Sequence, residues 1–143
     1  MKSIQDYITE KMIYKKSNAS TYKYFPKSKE ELQEILKELV EKRGNEGDFN
    51  DIDTSQITDM SYLFSEITNF NGNISKWDVS NVIDMTRMFQ FCKSFNQPLN
   101  EWDVSKVKKM RQKFYVCESF SQSLNKWNVS NVNYMEGMFR YSP

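Results

Sequence analysis

Apolar side chains along this chain follow two different rhythms, and the change falls near residue 50. Between Ser28 and Arg43 they recur at helical spacing, with Leu32, Ile35, Leu36, Leu39 and Val40 on one stripe. Ser28 followed three residues later by Glu31 is a capping box. Lys42 and Arg43 suit the last turn of a helix, and Gly44 is a ready residue just past its end. The pattern predicts a helix over about 29–43. Upstream, Ile4, Ile8 and Met12 permit a helix, while Tyr7-Ile8-Thr9 and Ile13-Tyr14 suit a strand; residues 1–27 read as an arm of open conformation.

From residue 51 onward the rhythm is 25 residues long. Trp77, Trp102 and Trp127 recur at that spacing, and their surroundings recur with them. Trp77-Asp78-Val79-Ser80-Asn81-Val82 returns as Trp102-Asp103-Val104-Ser105-Lys106-Val107 and as Trp127-Asn128-Val129-Ser130-Asn131-Val132. Met85, Met110 and Met135 follow, then Phe89, Phe114 and Phe139, then Cys92 and Cys117, with Leu99 and Leu124 closing their units. A degenerate earlier copy begins at Ile52 and carries Met60, Phe64, Phe70 and Ile74. One unit is too small to fold alone, so the units must bury one another's faces, which is the logic of a solenoid.

Within a unit, Ser80 reads as a helix N-cap, and Val82, Met85, Met88/Phe89 and Cys92 read as one face of a short helix. Phe95 to Trp102 reads as extended. The expected fold is therefore an α/β repeat: a leucine-rich-repeat-like solenoid of about 25-residue coils, each a short strand plus a short helix, behind an N-terminal helical cap. Residues 1–50 would be the arm and capping helix, and 51–143 would be three coils and a partial fourth. The fourth coil has no cap of its own, so its end is expected to pair with something, a second copy being one candidate.

The unit W-D-V-S-N-V-x-x-M-x-x-M-F-x-x-C-x-S-F-N-Q-x-L-N resembles the repeat of the BspA-like surface proteins, also called the mycoplasma lipoprotein-associated repeat. The likeness spans residues 52–143, and Tyr24-Phe25-Pro26-Lys27-Ser28-Lys29-Glu30-Glu31-Leu32 resembles the lead-in that precedes such repeats. The resemblance implies a leucine-rich-repeat-like solenoid that binds proteins, often at bacterial or parasite surfaces.

Composition narrows the chemistry. The chain has 143 residues and no histidine, which removes Ser-His-Asp, Cys-His and His-ligated zinc chemistry. Four glycines supply no phosphate-cradling loop, and two cysteines cannot by themselves hold zinc or an iron-sulfur cluster. No enzyme and no cofactor are expected. Twenty basic against 19 acidic residues argue against a general nucleic-acid coat or a polybasic membrane binder. No apolar run approaches a membrane span, and the N-terminus lacks a secretory signal. As written the chain is expected in the cytoplasm, or at a surface if a leader has been removed.

Several repeated residues have both a functional and a structural reading. Trp77, Trp102 and Trp127 could stack on bases or sugars, but a buried spine is the expected role. Met85, Met110 and Met135, with Phe89, Phe114 and Phe139, read as core. Cys92 and Cys117, at equivalent positions of adjacent coils, could form a disulfide if the chain is exported, but reduced apolar fillers are the expected role. Asp53, Asp78, Asp103 and Asn128 supply only one oxygen-bearing side chain per coil, and so read as turn formers rather than a metal ladder.

The third coil breaks the pattern. Lys106, Lys108, Lys109, Arg111 and Lys113 place five basic residues in eight, and none of their counterparts in the other copies is basic. Lys109 stands where two copies have Asp, and Lys113 stands where the others have Leu or Met. The cluster reads as a docking patch for an acidic protein surface, with a nucleic-acid backbone as the weaker candidate. Two functions follow. One is a non-enzymatic protein-binding module. The other is a small inhibitor of phage or mobile-element type that docks on a nucleic-acid enzyme or acidic partner through this coil.

Overall fold

Short polar side chains turn the chain in every coil. Asp53, Asp78 and Asp103 each accept the backbone N–H two residues on at 3.0 Å, and Asn128 does so at 3.1 Å. A second set of such turns is made by Asp59 and Asp84. The expected turn-forming role of the first series is thus what these residues perform. In the computed structural model, which describes residues 2–6 and 21–143, these turns fold the repeat into stacked coils held in a 25-residue register.

The register is written in backbone hydrogen bonds between coils. Met60 N–H donates to the Asp84 carbonyl, Met85 to Lys109 and Met110 to Tyr134, at 2.9, 2.8 and 2.7 Å. Phe64, Phe89 and Phe114 donate likewise to Met88, Lys113 and Met138. Isolated parallel bridges link Asp59, Asp84, Lys109 and Tyr134 in one row, and Asp48 to Asn73 elsewhere.

The expected α/β leucine-rich-repeat-like solenoid does not form. The structure is 14% helix and 6% strand, and its described residues form no sheet. The one long helix among the described residues, α1 (Lys29–Arg43), precedes the repeats. The segment read as a helix from Ser80 to Cys92 is a succession of turns, and Phe95 to Trp102 carries no ladder. Ser80 does not cap a helix; its hydroxyl donates to the Asp78 carboxylate at 2.6 Å.

The physical reason lies in the backbone. Tyr62, Arg87, Gln112 and Gly137, one per coil, all have left-handed φ values of 60°, 52°, 50° and 64°. Phe91, Val116 and Tyr141 repeat the feature further along. A left-handed residue every few positions ends each helical turn before it can propagate. The amide groups a helix would consume internally are instead spent on the next coil. Met88 donates to Met85 and Cys92 to Phe89, three residues back, while Met85, Arg87, Phe89 and Phe91 donate across to the third coil.

Inside the stack, phenylalanines align in two columns. Phe64, Phe89, Phe114 and Phe139 follow one another with ring centroids 5.2, 5.5 and 5.4 Å apart and planes within 7°. Phe70, Phe95 and Phe120 form the second column at 6.1 and 6.0 Å. Within a coil the two columns touch at 4.2–4.3 Å. Each tryptophan ties its coil to the preceding one: the indole N–H of Trp77, Trp102 and Trp127 donates to the carbonyl of Phe49, Ile74 and Leu99. Trp77 and Trp102 are buried and Trp127 is half-buried, as a structural spine requires. Met85, Met110, Phe89 and Phe114 are buried, while their fourth-coil counterparts Met135 and Phe139 are 41% and 44% exposed.

α1 occupies the span read from its capping signals. Ser28 accepts the Glu31 N–H, and Gly44, at φ 81°, returns its own N–H to Val40. The buried stripe Leu32, Ile35, Leu36 and Leu39 belongs to the same core cluster as Phe49, Ile52, Phe64 and Phe70. Arg43 fastens the helix end by gripping both Asp51 carboxylate oxygens at 2.8 and 2.9 Å, over the rings of Tyr24 and Phe49. Close approach also explains Gly72: a Cβ there would stand 2.4 Å from a Phe49 ring carbon. In the arm, Ile4 to Asp6 are helical and Ile4 is buried; the strand candidates Tyr7-Ile8-Thr9 and Ile13-Tyr14 lie outside the described residues.

Candidate functional site

The bridge row carries the third coil's cations to one surface. Lys106, Lys108, Lys109 and Arg111 are all exposed. Lys106 and Lys108 line an open groove together with Gln56, Asn81, Ile83 and Asn131, residues drawn from four successive coils. Beside it, Lys109 and Arg111 line a second hollow with Tyr62, Asp84, Thr86 and Tyr134. Ile83 and Tyr134 are exposed at 43% and 47%, so the cations are interleaved with apolar and aromatic contact area.

Their partners differ. Lys106 Nζ donates to Asn81 at 3.2 Å, and Arg111 pairs with Glu136 at 3.2 Å. The Arg111 guanidinium helps hold the Glu136 carboxyl below its usual range, after a backbone hydrogen bond that does more. Lys108 and Lys109 have no ion pair among the described residues.

Lys113 does not belong to this surface. It is 0% exposed, behind Trp102 and Trp127. The reading of a five-residue patch is therefore corrected to four. The repeat itself carried the signal, because the counterparts Leu63 and Met88 are core residues. Trp77 and Trp102 are committed to the core, and all three indoles to backbone carbonyls, as a spine requires. Conversely, Ile83 and Asn81 join the groove and Tyr134 the hollow beside it, although the charge pattern points to none of them. Their place at the repeat positions of Lys108, Lys106 and Lys109 would have found them.

Cys92 and Cys117 are free and buried. Cys92 donates its S–H to the Phe64 carbonyl at 3.3 Å and Cys117 to that of Phe89 at 2.9 Å, so they link coils as well as fill space. Burial pushes the Cys117 thiol up to about 12 and the Cys92 thiol higher still. Among the described residues no three His, Cys, Asp or Glu side chains converge on a metal position, and no helix is long and apolar enough to cross a membrane.

The pattern of a protein family described as "Mycoplasma protein of unknown function, DUF285" matches residues 31–143. This chain belongs to that family. No curated protein and no solved structure matches it. The DUF285 match begins within α1, so the helix and the coils it covers fall in one family unit. In this DUF285 chain the cations that line the groove and the adjoining hollow all come from the third coil, while the neighbouring coils supply the other lining residues.

Proposed function

We propose that the chain is a non-enzymatic protein-binding module that receives an acidic segment of a partner protein along the third coil. The observation that carries this is the exposed row Lys106, Lys108, Lys109 and Arg111, set on the stacked coils, with Lys108 and Lys109 in no ion pair among the described residues. Charge complementarity steers such a partner, and Ile83 and Tyr134 give it apolar area to cover. A protein is favoured over a nucleic-acid backbone because Asp84 lies in register beside Lys109 and Glu136 neutralises Arg111, which breaks the positive field. The resemblance to BspA-like repeats also supports a binding role. An inhibitor of a nucleic-acid enzyme would use the same face, and the identity of the captured protein decides between the two.

The test is capture from an extract of the source cell at low and raised salt, comparing the native chain with Lys108→Glu/Lys109→Glu. An acidic protein held by the native chain, released by salt and missed by the double variant supports the proposal. An identical set of captured proteins on both chains overturns it. Self-pairing is a separate expectation, resting on the exposed Val129, Met135 and Phe139 of the fourth coil, positions buried in the inner coils. A mass that rises with concentration in sedimentation, and stays monomeric in Phe139→Ser, supports it; a constant monomer mass removes it.

A further inference from the structure

Lys113 takes the coil position that Leu63, Met88 and Met138 fill elsewhere, and it is as buried as they are. Its Nζ lies 4.7 Å from the Trp127 ring centroid, 5.0 Å from Trp102, 5.1 Å from Phe114 and 5.4 Å from Phe89. Its one hydrogen bond is to the Met85 sulfur at 3.1 Å. No carboxylate reaches it among the described residues.

The groups around it are almost all uncharged. The second coil presents Met85 and Phe89, and the fourth presents Trp127. In its own coil the titratable neighbour is the Cys117 thiol, held neutral at physiological pH, with the still weaker acid Cys92 next to it. Arg111 and Glu136 flank the seam but neutralise each other at the surface.

We propose that the fourth coil separates from the third with uptake of one proton by the Lys113 amine, so that their seam is a latch that loosens as pH falls. Trp127 is the cover: it is half-buried, its ring is the nearest of the four to the amine, and it is held by its indole N–H on the Leu99 carbonyl. Lifting it brings the amine to water, where a lysine is protonated below about pH 10.4. With the coil closed, burial among rings and a thioether pushes the pKa well below the ordinary lysine value. Between those two limits, one proton taken up per opening raises the opening constant about tenfold for each unit that pH falls. This holds whether or not the basic groove binds a partner.

Hydrogen exchange of the intact chain between pH 6 and 9, read on peptides covering residues 124–143 and divided by intrinsic rates, tests it. The native chain is expected to open about tenfold more per unit of falling pH, within the window set by the two pKa values. Lys113→Met is expected to show no such slope and to open less at pH 7, while Lys76→Met, at an exposed lysine outside the groove, keeps the native slope. Parallel curves for native and Lys113→Met overturn the proposal, as does greater opening of Lys113→Met at pH 7, which would mean a stabilising charged amine inside the cage. If Lys113→Met does not fold, an NMR titration of the Lys113 side chain in the native protein decides: a depressed pKa supports the latch and an ordinary one sinks it.

Discussion

The second and third coils share a frame and differ in what they hang on it. Both stack a phenylalanine pair, Phe89–Phe95 and Phe114–Phe120, at 4.3 Å. Both donate a thiol to a carbonyl of the preceding coil. They differ at twelve positions, and five of the changes cluster, where Asn81, Ile83, Asp84, Thr86 and Met88 become Lys106, Lys108, Lys109, Arg111 and Lys113. Four of these changes point outward and leave the inter-coil hydrogen bonds in place. The fifth points inward and puts an amine among aromatic rings. Outward positions are thus free to acquire binding chemistry, whereas the inward one alters how firmly a coil is held.

Truncating the shared frame should have the largest effect. Phe89→Ala removes a fully buried ring stacked on Phe64, Phe95 and Phe114, and should cost about 3–5 kcal/mol in urea unfolding. Phe139→Ala, at a 44% exposed ring, should cost clearly less. Equal losses would mean that the columns do not carry the stack.

Making the third coil resemble the second comes next. Lys113→Met should stabilise the protein by about 1–3 kcal/mol at pH 7, the range for removing a poorly compensated buried polar group. The depressed folded-state pKa gives the sign. Between the depressed folded-state pKa and about pH 10.4 the unfolded chain binds a proton that the folded chain does not, so native stability rises with pH across that window. The advantage of Lys113→Met should therefore shrink on going from pH 7 to 10; an advantage that is constant with pH would show that Lys113 does not titrate abnormally.

The thiols give a kinetic comparison. Buried and raised to about 12 or higher, Cys92 and Cys117 should resist a thiol reagent at pH 8 in the folded chain and react fully once it is unfolded. Rapid reaction of either in the folded chain would contradict their burial. The smallest effect is expected outside: Lys108→Glu/Lys109→Glu should change stability by no more than about 0.5 kcal/mol per site while removing partner capture. A large loss of stability would assign those lysines to the fold.

Much of this division was legible in the sequence. The identities around Trp77, Trp102 and Trp127 announce the register, and Ser28, Glu31 and Gly44 bound α1. The conformation inside a coil was not legible. Val82, Met85, Phe89 and Cys92 match a helix face by spacing, yet that spacing arises from successive three-residue turns. The left-handed residues that interrupt them are Tyr62, Arg87 and Gln112, types that normally avoid this region, and Gly137 alone hints at it. Lys113 was grouped with its charged neighbours because charge was read along the chain, whereas its apolar counterparts in the other coils already placed it inside.

Throughout the stack, position n of one coil lies against position n+25 of the next. Paired cysteines test that directly, in a chain whose own Cys92 and Cys117 are replaced by Ser. Ile83→Cys with Lys108→Cys joins exposed neighbours whose backbones share a 2.8 Å hydrogen bond, and the pair should close rapidly into one intramolecular disulfide. Ile83→Cys with Asn133→Cys, two coils apart, should stay reduced under the same oxidant; bridging of both pairs at equal rates, or only of the second, would contradict the stack.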